Sequence, residues 1–401
     1  MGVFIQSIDC RVPKTCHSQQ SIKERIKRLL NASQRTNRYI DSIYQGSDID
    51  QRYSCVSNPD DFFRVSQSGE ISNPTTKMRN DLFTAEAKKL FVDVARSTIE
   101  NCLNADSGDI THLVTVSCTG FFNPGPDYAI IEGLRLNKNV QRYNIGFMGC
   151  HATFPALRLA NSICRAEPNA TVLVVSVELC TLHIQLKDDL DSILGGAIFA
   201  DGGAGAIVSA KKPAPGQTVF ELKHFESTLI PDSSDKMAWT IGDTGFEMIL
   251  SQYIPKIIQS NIREIIEPIL EKQDTAISDI DHWAVHPGGK AILDRIEESL
   301  GIEGKCEASR AILKQFGNMS SATILFVLKH ILENAGDNGN ESAIGRADGE
   351  TSPTGGSVLV VAFGPGLTIE LAMLEKLTAL TAHKRTIASV AGQLRCTADS
   401  I

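Results

Sequence analysis

The sequence has no long apolar run, which argues against a membrane-spanning helix. Such a helix needs about 18 consecutive, mostly apolar residues, whereas the longest strand-like stretches, such as Thr171 to Val177, are under ten residues. The N-terminus also lacks the basic and apolar regions of a secretory signal. We therefore expect a cytoplasmic protein that makes no contact with a membrane.

The sequence also lacks an excess of positive charge. Its 401 residues carry a net charge of -8, and 21% of them are charged. A protein that binds nucleic acid usually carries a basic patch or stripe. We therefore do not expect nucleic acid as the main ligand.

None of the ten cysteines forms a C-x-x-C pair. This absence argues against a zinc site, and the length of the chain argues against a small disulfide-bonded fold. We expect reduced thiols, most of which fill the core as small apolar side chains. Each cysteine must then be judged by its own sequence context.

Strand-like and helix-like segments alternate in the first half of the chain. Apolar residues recur at helical spacing from Leu82 to Leu103, and buried strands are predicted at His112–Ser117, Thr171–Val177 and Ala204–Ala210. Alternation of this kind indicates an α/β protein with a parallel or mixed sheet.

A similar order follows Lys211–Gly216, which is rich in proline and charge and marks the predicted domain boundary. The predicted elements are a helix within Glu247–Lys272 with Pro255 inside it, a strand at Asp281–His286, helices at Lys290–Leu300 and Arg310–Asn334, and a strand at Ser357–Phe363. We therefore predict two similar halves, residues 1–215 and 216–375, and a C-terminal tail at 376–401 that is frayed or weakly docked helix. Residues 337–356 are predicted to be a loop.

Cys150 follows Gly149 and precedes an apolar helical stretch. The positive end of a helix would lower the pKa of this thiol from about 8.5 towards about 7. A strong nucleophile would need a second positive partner, usually a protonated histidine. The alternative is a buried structural thiol.

Two other residues could join Cys150. His286 ends a predicted strand and precedes Pro287-Gly288-Gly289, a setting that exposes ligand-facing side chains in α/β proteins. Asn318 follows Gly317 and is either a helix N-cap or a neutral amide donor to an oxyanion or enolate. Together, these three residue types suit acyl transfer through a thioester and carbon–carbon bond formation.

On its motifs, the chain closely resembles the type III polyketide synthases, the chalcone synthase-like family of the thiolase fold. The motifs are the Cys150 stretch, Trp283–Leu293, Gly317–Ala322 and Phe363–Glu370, and they occur in the family's order. The resemblance implies a duplicated, layered α-β-α-β-α fold. It also implies a homodimer that accepts free coenzyme A thioesters.

The resemblance implies a role for each matching residue. Cys150, His286 and Asn318 match the catalytic triad, in which His286 as an imidazolium would keep Cys150 ionised. Substrate-binding roles are implied for the gatekeeper Phe199, for Phe246 as a second cavity phenylalanine, and for Cys118, Cys180, His183, Ser320, Gly364 and Pro365. Plant chalcone synthases tend to have threonines at the positions of Cys118, Cys180 and His183, so the chain is more similar to the bacterial branch.

The function that the resemblance implies is decarboxylative condensation of malonyl-CoA units onto an acyl-CoA starter held on Cys150. Cyclisation would then give a pyrone or an aromatic polyketide, with no metal or redox cofactor. One alternative is a ketoacyl synthase III of fatty acid synthesis, which usually takes malonate from a carrier protein. Another is a non-catalytic thiolase-fold protein that binds acyl-CoA.

Overall fold

Buried strands and amphipathic helices alternate along the chain in the computed structural model, which describes residues 1–65, 71–334 and 355–379. Its helices are α1 (Gln19–Leu30), α2 (Gln34–Gln45), α3 (Pro59–Phe62), α4 (Thr76–Glu100), α5 (Pro126–Leu134), α6 (Thr153–Ala166), α7 (Leu190–Ile198), α8 (Ile254–Glu271), α9 (Lys290–Leu300), α10 (Glu307–Phe316) and α11 (Thr323–Glu333).

The strands of the same residues are β1 (Phe4–Arg11), β2 (Thr15–Ser18), β3 (Gln51–Ser54), β4 (Arg64–Val65), β5 (Ile71–Ser72), β6 (His112–Ser117), β7 (Gln141–Gly146), β8 (Thr171–Leu179), β9 (Asp201–Ser209), β10 (Thr218–Leu229), β11 (Met237–Gly242), β12 (Gly245–Leu250), β13 (His282–Val285), β14 (Gly355–Gly364) and β15 (Thr368–Thr378). Short 3₁₀ turns at Cys180–His183 and Ser320–Ala322 lie close to the site described below.

Nine strands form a mixed sheet in the order β13-β14-β15-β10-β1-β9-β8-β6-β7. The pair β13–β14 is parallel and is followed by the antiparallel pairs β14–β15 and β15–β10. The first half repeats this pattern, with β6–β8 parallel and then β8–β9 and β9–β1 antiparallel. Within this sheet, the described residues of the two halves pair where Phe4 and Ile5 of β1 lie beside Glu221 and Phe220 of β10. The predicted duplicated fold is therefore confirmed.

The central strands β6 and β8 are buried on both faces, as their continuous β-branched runs predict, whereas β7 at the edge of the sheet is mostly exposed. Val114 and Val174 face a core that also holds the apolar sides of α6 and α11, and Val360 reaches the same core from the second half. Alternate residues of the strands face two outer cores, one packed against α4 and α5 and one against α8 and α9. The result is the predicted α-β-α-β-α layering, with α6 and α11 between the halves.

Most predicted elements are present with small shifts of their ends. The strand at His112–Ser117 and the helix at Lys290–Leu300 have the predicted bounds, and the strand predicted at Thr171–Val177 continues to Leu179. The boundary segment Lys211–Gly216 connects β9 to β10. Division of the chain at residue 215 stays a prediction.

The helix predicted at Arg310–Asn334 is wrong, because the chain forms two helices there. α10 ends at Phe316, Gly317 takes a φ of 71°, and α11 begins at Thr323. This interruption places Asn318 in extended backbone, where it forms a parallel bridge with Phe199. The break therefore positions a candidate site residue.

The helix predicted within Glu247–Lys272 begins only at Ile254, so that Pro255 lies in its first turn and not inside it. The preceding residues form the hairpin β11–β12, which the sequence analysis did not predict. The tail predicted from residue 376 is also partly wrong, because β15 continues to Thr378. The predicted loop overlaps β14 at 355–356, and its other residues, like residues 380–401, lie outside the described residues.

No helix in the described part of the chain has both the length and the apolarity needed to cross a membrane. The nine cysteines that the structure describes are all free thiols.

A buried carboxylate fixes α11 to β1 between the halves. Asp9 on β1 is 1% exposed, accepts a hydrogen bond from Lys329 on α11, and lies 2.7 Å from a guanidinium nitrogen of Arg11. Burial alone would raise the pKa of Asp9, but hydrogen bonds from Lys329 and Ser97 outweigh it and lower the pKa below 3.8. Asp9 therefore contributes stability at neutral pH that is lost as the pH falls through this lowered value.

We predict that Lys329→Met destabilises the protein by about 3 kcal/mol at pH 7, because it removes one partner of a buried carboxylate. The loss should be smaller at about pH 4, because burial raises the pKa of Asp9 once Lys329 is gone and the carboxyl then becomes neutral. Denaturant unfolding measures both values. Glu333→Gln is the control, since Glu333 pairs with the same lysine at 3.6 Å but is 62% exposed. A similar loss in both variants would contradict the prediction.

Candidate active site

Cys150 lies in the turn between β7 and α6, and not at the first residue of the helix, which begins at Thr153. Gly149, immediately before it, has a φ of 80°, and a Cβ at this position would lie 2.5 Å from Cδ of Pro365. Only glycine fits both the conformation and the close contact. The turn thereby directs the thiol of Cys150 into a cavity.

Burial raises the pKa of Cys150 to about 11. Hydrogen bonds from Ser320 and Asn318 oppose this effect, while the nearby carboxylate of Glu178 adds to it. The expectation that the end of the helix lowers the pKa of this thiol is therefore wrong, because desolvation outweighs the local donors. A thiolate at this position needs a positive partner.

His286 directly follows β13, and its backbone N–H donates to the carbonyl of Val361 at 2.7 Å. Its side chain is 1% exposed, yet neither Nδ1 nor Nε2 has a hydrogen-bond partner in the described residues. Burial lowers the pKa of His286 to about 3, with a smaller contribution from His151. Buried polar atoms are rarely left unpaired, so both nitrogens of this ring are free for a substrate.

Asn318 is held by backbone and side chain together. Its N–H donates to the carbonyl of Ile198 and its C=O accepts from the N–H of Ala200, each at 2.9 Å. Its Oδ1 accepts from the N–H of Ser320 at 2.8 Å, and its Nδ2 lies 3.5 Å from the carbonyl of Gly288. The bond to Ser320 fixes the orientation of the amide and leaves Nδ2 as a weakly engaged donor. The N-cap interpretation of Asn318 is wrong, because the N-cap is Met319 in the 3₁₀ turn and Ala322 in α11.

One cavity brings the three predicted catalytic residues together. Five of the predicted substrate-binding residues also line it, namely Cys118, Cys180, Phe199, Ser320 and Pro365. The hairpin β11–β12 supplies much of the remaining wall, through Met237, Ala238, Trp239, Met248 and Leu250. A mostly apolar wall with a few polar groups is typical of a small-molecule site.

His183 and Phe246 lie behind this wall and do not line the cavity. Their rings stack with centroids 4.0 Å apart, and both contact the ring of Trp239. His183 Nε2 lies 2.7 Å from the carbonyl of Thr119, and its Nδ1 accepts from the N–H of Phe246 at 3.1 Å. These bonds keep the imidazole neutral and turn it away from the cavity, and burial lowers its pKa to about 3.

Gly364 also lies outside the cavity lining. A Cβ at this position would be 1.7 Å from Nδ1 of His151, the residue after Cys150. Gly364 therefore allows β14 to pack closely against the turn that holds the thiol. Gly364 therefore has a structural role that supports the site.

Glu178, a fully buried carboxylate at the end of β8, was not predicted from the sequence. It accepts hydrogen bonds from the N–H of Cys118 at 3.0 Å, from Oγ1 of Thr119 at 2.8 Å and from the hydroxyl of Ser321. Burial nonetheless raises its pKa. The network fixes Cys118, while Sγ of Cys118 lies 3.4 Å from Oγ of Ser320.

The lining residues of the hairpin were also missed, although the sequence held a signal for them. Asp243-Thr244-Gly245 is a turn sequence, and it lies between two segments of strand-forming residues. The described residues contain no cluster of three or more metal-binding side chains. The arrangement provides a thiol, an imidazole with two free nitrogens and an amide donor in one apolar cavity, which suits acyl transfer and enolate stabilisation.

Family models of the chalcone and stilbene synthases match both halves of the chain. The model of the N-terminal domain matches residues 3–212, and that of the C-terminal domain matches residues 221–378.

Individual proteins agree with this match. The chain is 32% identical over 372 residues to the "alpha-pyrone synthesis polyketide synthase-like Pks18" of Mycobacterium tuberculosis, which covers 91% of this chain and 89% of that protein. It is 31% identical over 384 residues to the "probable polyketide synthase 1" of Dictyostelium discoideum, which covers 92% of this chain but only 11% of that protein.

The fold is also similar to a solved structure, the C-terminal type III polyketide synthase domain of Steely1, a type I/III hybrid from Dictyostelium. The TM-score is 0.80 at 31% identity, over 94% of this chain and 100% of that domain.

We predict that Gly149→Ala slows iodoacetamide labelling of Cys150 at least about tenfold and destabilises the protein by at least about 1 kcal/mol, because alanine is strained at positive φ and would clash with Pro365. Mass spectrometry of the labelled peptide and thermal unfolding measure the two effects. Gly146→Ala is the control, since a Cβ there meets only ordinary contacts at 3.8 Å. Equal labelling of the two variants would show that the conformation at Gly149 does not position the thiol.

Proposed function

Because the chain belongs to the chalcone and stilbene synthase family of type III polyketide synthases, we propose that it condenses malonyl-CoA units onto an acyl-CoA starter held as a thioester on Cys150. One observation carries this proposal: within the described residues neither ring nitrogen of the buried His286 has a hydrogen-bond partner, and the ring lines the same cavity as Cys150 and Asn318. Each extension passes through an enolate, whose oxygen needs such hydrogen-bond donors.

Acylation comes first. Neither a thiolate at Cys150 nor an imidazolium at His286 is stable alone, because burial disfavours both charges. Transfer of the thiol proton to His286 creates both charges together, and each then stabilises the other. The sulfur attacks the thioester carbonyl of the starter, the bond to coenzyme A breaks, and the coenzyme A thiolate takes the proton from His286.

Extension follows when malonyl-CoA enters the cavity. The bond between its carboxylate carbon and the adjacent carbon breaks, and carbon dioxide leaves. The electron pair of this bond forms an enolate whose negative charge lies on the thioester oxygen. His286 and Asn318 Nδ2 donate hydrogen bonds to this oxygen. The enolate carbon then attacks the acyl carbon on Cys150, and the sulfur departs as the leaving group.

The wall of the cavity favours decarboxylation. Phe199 forms a parallel β-bridge with Asn318 and presents an apolar surface to the cavity. A carboxylate against such a surface loses hydration without gaining a partner, whereas neutral carbon dioxide does not. The loss of the carboxylate as carbon dioxide removes this desolvation cost.

We further propose that the enzyme works as a homodimer, that the chain grows by repeated extension, and that it closes to a pyrone or an aromatic ring. The name of the mycobacterial relative refers to alpha-pyrone synthesis, which makes a pyrone the first product to seek. The proposed steps need no metal or redox cofactor besides the coenzyme A thioesters themselves.

The function is tested by incubating the protein with malonyl-CoA and a series of acyl-CoA starters, followed by mass spectrometry. We expect products extended by two-carbon units without a carrier protein. Cys150→Ala should abolish them, and Cys16→Ala, which changes an exposed thiol on β2, should not. A requirement for carrier-bound malonate would favour a ketoacyl synthase III, and full activity of Cys150→Ala would contradict the proposal.

The role of His286 as proton acceptor gives a separate prediction. At about pH 7, His286→Gln should slow iodoacetamide labelling of Cys150 at least about tenfold, because the variant lacks the proton acceptor and burial then keeps the thiol protonated. The difference should shrink at alkaline pH, where hydroxide removes the thiol proton without His286. Labelling of Cys16 in the same samples is the internal reference. Equal rates of the two proteins at neutral pH would exclude a proton transfer from Cys150 to His286.

A further inference from the structure

A second cavity lies between α1, β3 and the segment that follows β3. No residue lines both this cavity and the catalytic one. The catalytic mechanism makes no use of it.

A buried arginine lines this cavity. Arg52 is 2% exposed, its Nε donates to Oε1 of Gln19 at 3.0 Å, and its Nη1 donates to the carbonyl of Phe199 at 2.6 Å. Its Nη2 is buried without a hydrogen-bond partner in the described residues. A guanidinium in this setting has donor capacity left for a ligand.

Other residues near Arg52 do not neutralise it. Asp201 contributes to its electrostatic environment, but the carboxylate accepts from the N–H groups of Cys55 and Thr181, each at 2.7 Å, and forms no ion pair with Arg52 within the described chain. The hydroxyl of Tyr44 interacts with Arg52 as a neutral hydrogen-bonding group and donates to the carbonyl of Gly196 at 3.0 Å. The positive charge therefore lacks a direct anionic partner.

Two more nitrogen-bearing side chains line the cavity. Nε2 of His17 is buried and, like Nη2 of Arg52, has no hydrogen-bond partner among the described residues. Arg25 makes only a long ion pair, 3.9 Å from Asp60. No aspartate or glutamate is among the lining residues. This end of the cavity is suited to an anion.

The rest of the wall is apolar. Ile22, Ile26 and Leu29 come from one side of α1, and Val56 and Phe63 come from the segment after β3. An inorganic anion would leave this wall in contact with water, and a neutral lipid would leave Arg52 without a partner. The ligand that satisfies both parts has one anionic group and an aliphatic chain.

We propose that this cavity is a binding site for an amphipathic monocarboxylate. The carboxylate accepts hydrogen bonds from Arg52 and His17, and the aliphatic chain packs against α1. The proposal depends on the cavity alone and does not rest on the proposed catalytic function. Because Arg52 also holds the carbonyl of Phe199, the bound ligand contacts a residue that supports the wall of the catalytic cavity.

Calorimetric titration of the full-length chain tests the proposal with three probes. Sodium decanoate has both the head group and the chain, sodium acetate has the head group alone, and decylammonium has the chain with the opposite charge. We expect decanoate to bind at least about tenfold more tightly than either of the others, since each lacks one of the two interactions. Equal binding of decylammonium and decanoate would overturn the proposal.

A pair of cavity-filling variants locates the bound probe. Ile26→Trp fills the second cavity and should abolish decanoate binding, whereas Ala238→Trp fills the catalytic cavity and should leave it intact. Loss of binding in Ala238→Trp alone would place decanoate in the catalytic cavity and overturn the proposal. Retained decanoate binding in Ile26→Trp would also overturn the proposal.

Charge variants test the head group. Arg52→Gln should weaken decanoate binding at least about tenfold, because it removes a charge-assisted bond. If this variant does not fold, Arg25→Met and Arg28→Met provide a matched pair. Both arginines approach Asp60, but only Arg25 lines the cavity. Arg25→Met should weaken binding several-fold and Arg28→Met should not, and equal affinities would contradict the proposal.

Discussion

Burial of two titratable groups in one apolar cavity is the constraint on which this site depends. Cys150 and His286 are each neutral when considered alone, because neither charge is well solvated there. In the proposed mechanism charge appears when a proton passes from Cys150 to His286, and the same enclosure then strengthens every hydrogen bond to the developing oxyanion. A more exposed site would ionise more easily but would hold an enolate less firmly and admit water.

The fold meets this constraint by collecting short irregular segments at the ends of buried elements. Cys150 comes from a turn in the first half, His286 follows β13 in the second half, and Asn318 lies in the break between α10 and α11. The bridge between Phe199 and Asn318 joins backbone from the two halves. The central helices α6 and α11 carry the thiol turn and the asparagine break, so the packing of the core sets their distance.

The sequence predicted the parts of the structure that local patterns encode. Continuous β-branched runs indicated β6, β8 and β13, and four motifs in order identified the family and the cavity residues Cys150, His286 and Asn318. The helix predicted at Arg310–Asn334 ran through the break at Gly317, although the N-cap interpretation of Asn318 would have placed a helix start close to it. The direction of His183 was not predicted, because it depends on bonds to the distant Thr119 and Phe246. The raised pKa of Cys150 could not be predicted either, because desolvation depends on residues that are distant in the sequence.

The hairpin β11–β12 is a two-stranded sheet of its own, separate from the nine-stranded sheet that carries β7, β13 and β14. It supplies five residues to the wall of the cavity but none of the three groups that are proposed to react. Under the proposed mechanism, substitutions on this one ribbon change the size and shape of the cavity while the groups that form the bonds stay in place. The range of products and the bond-forming chemistry would then depend on different parts of the same polypeptide.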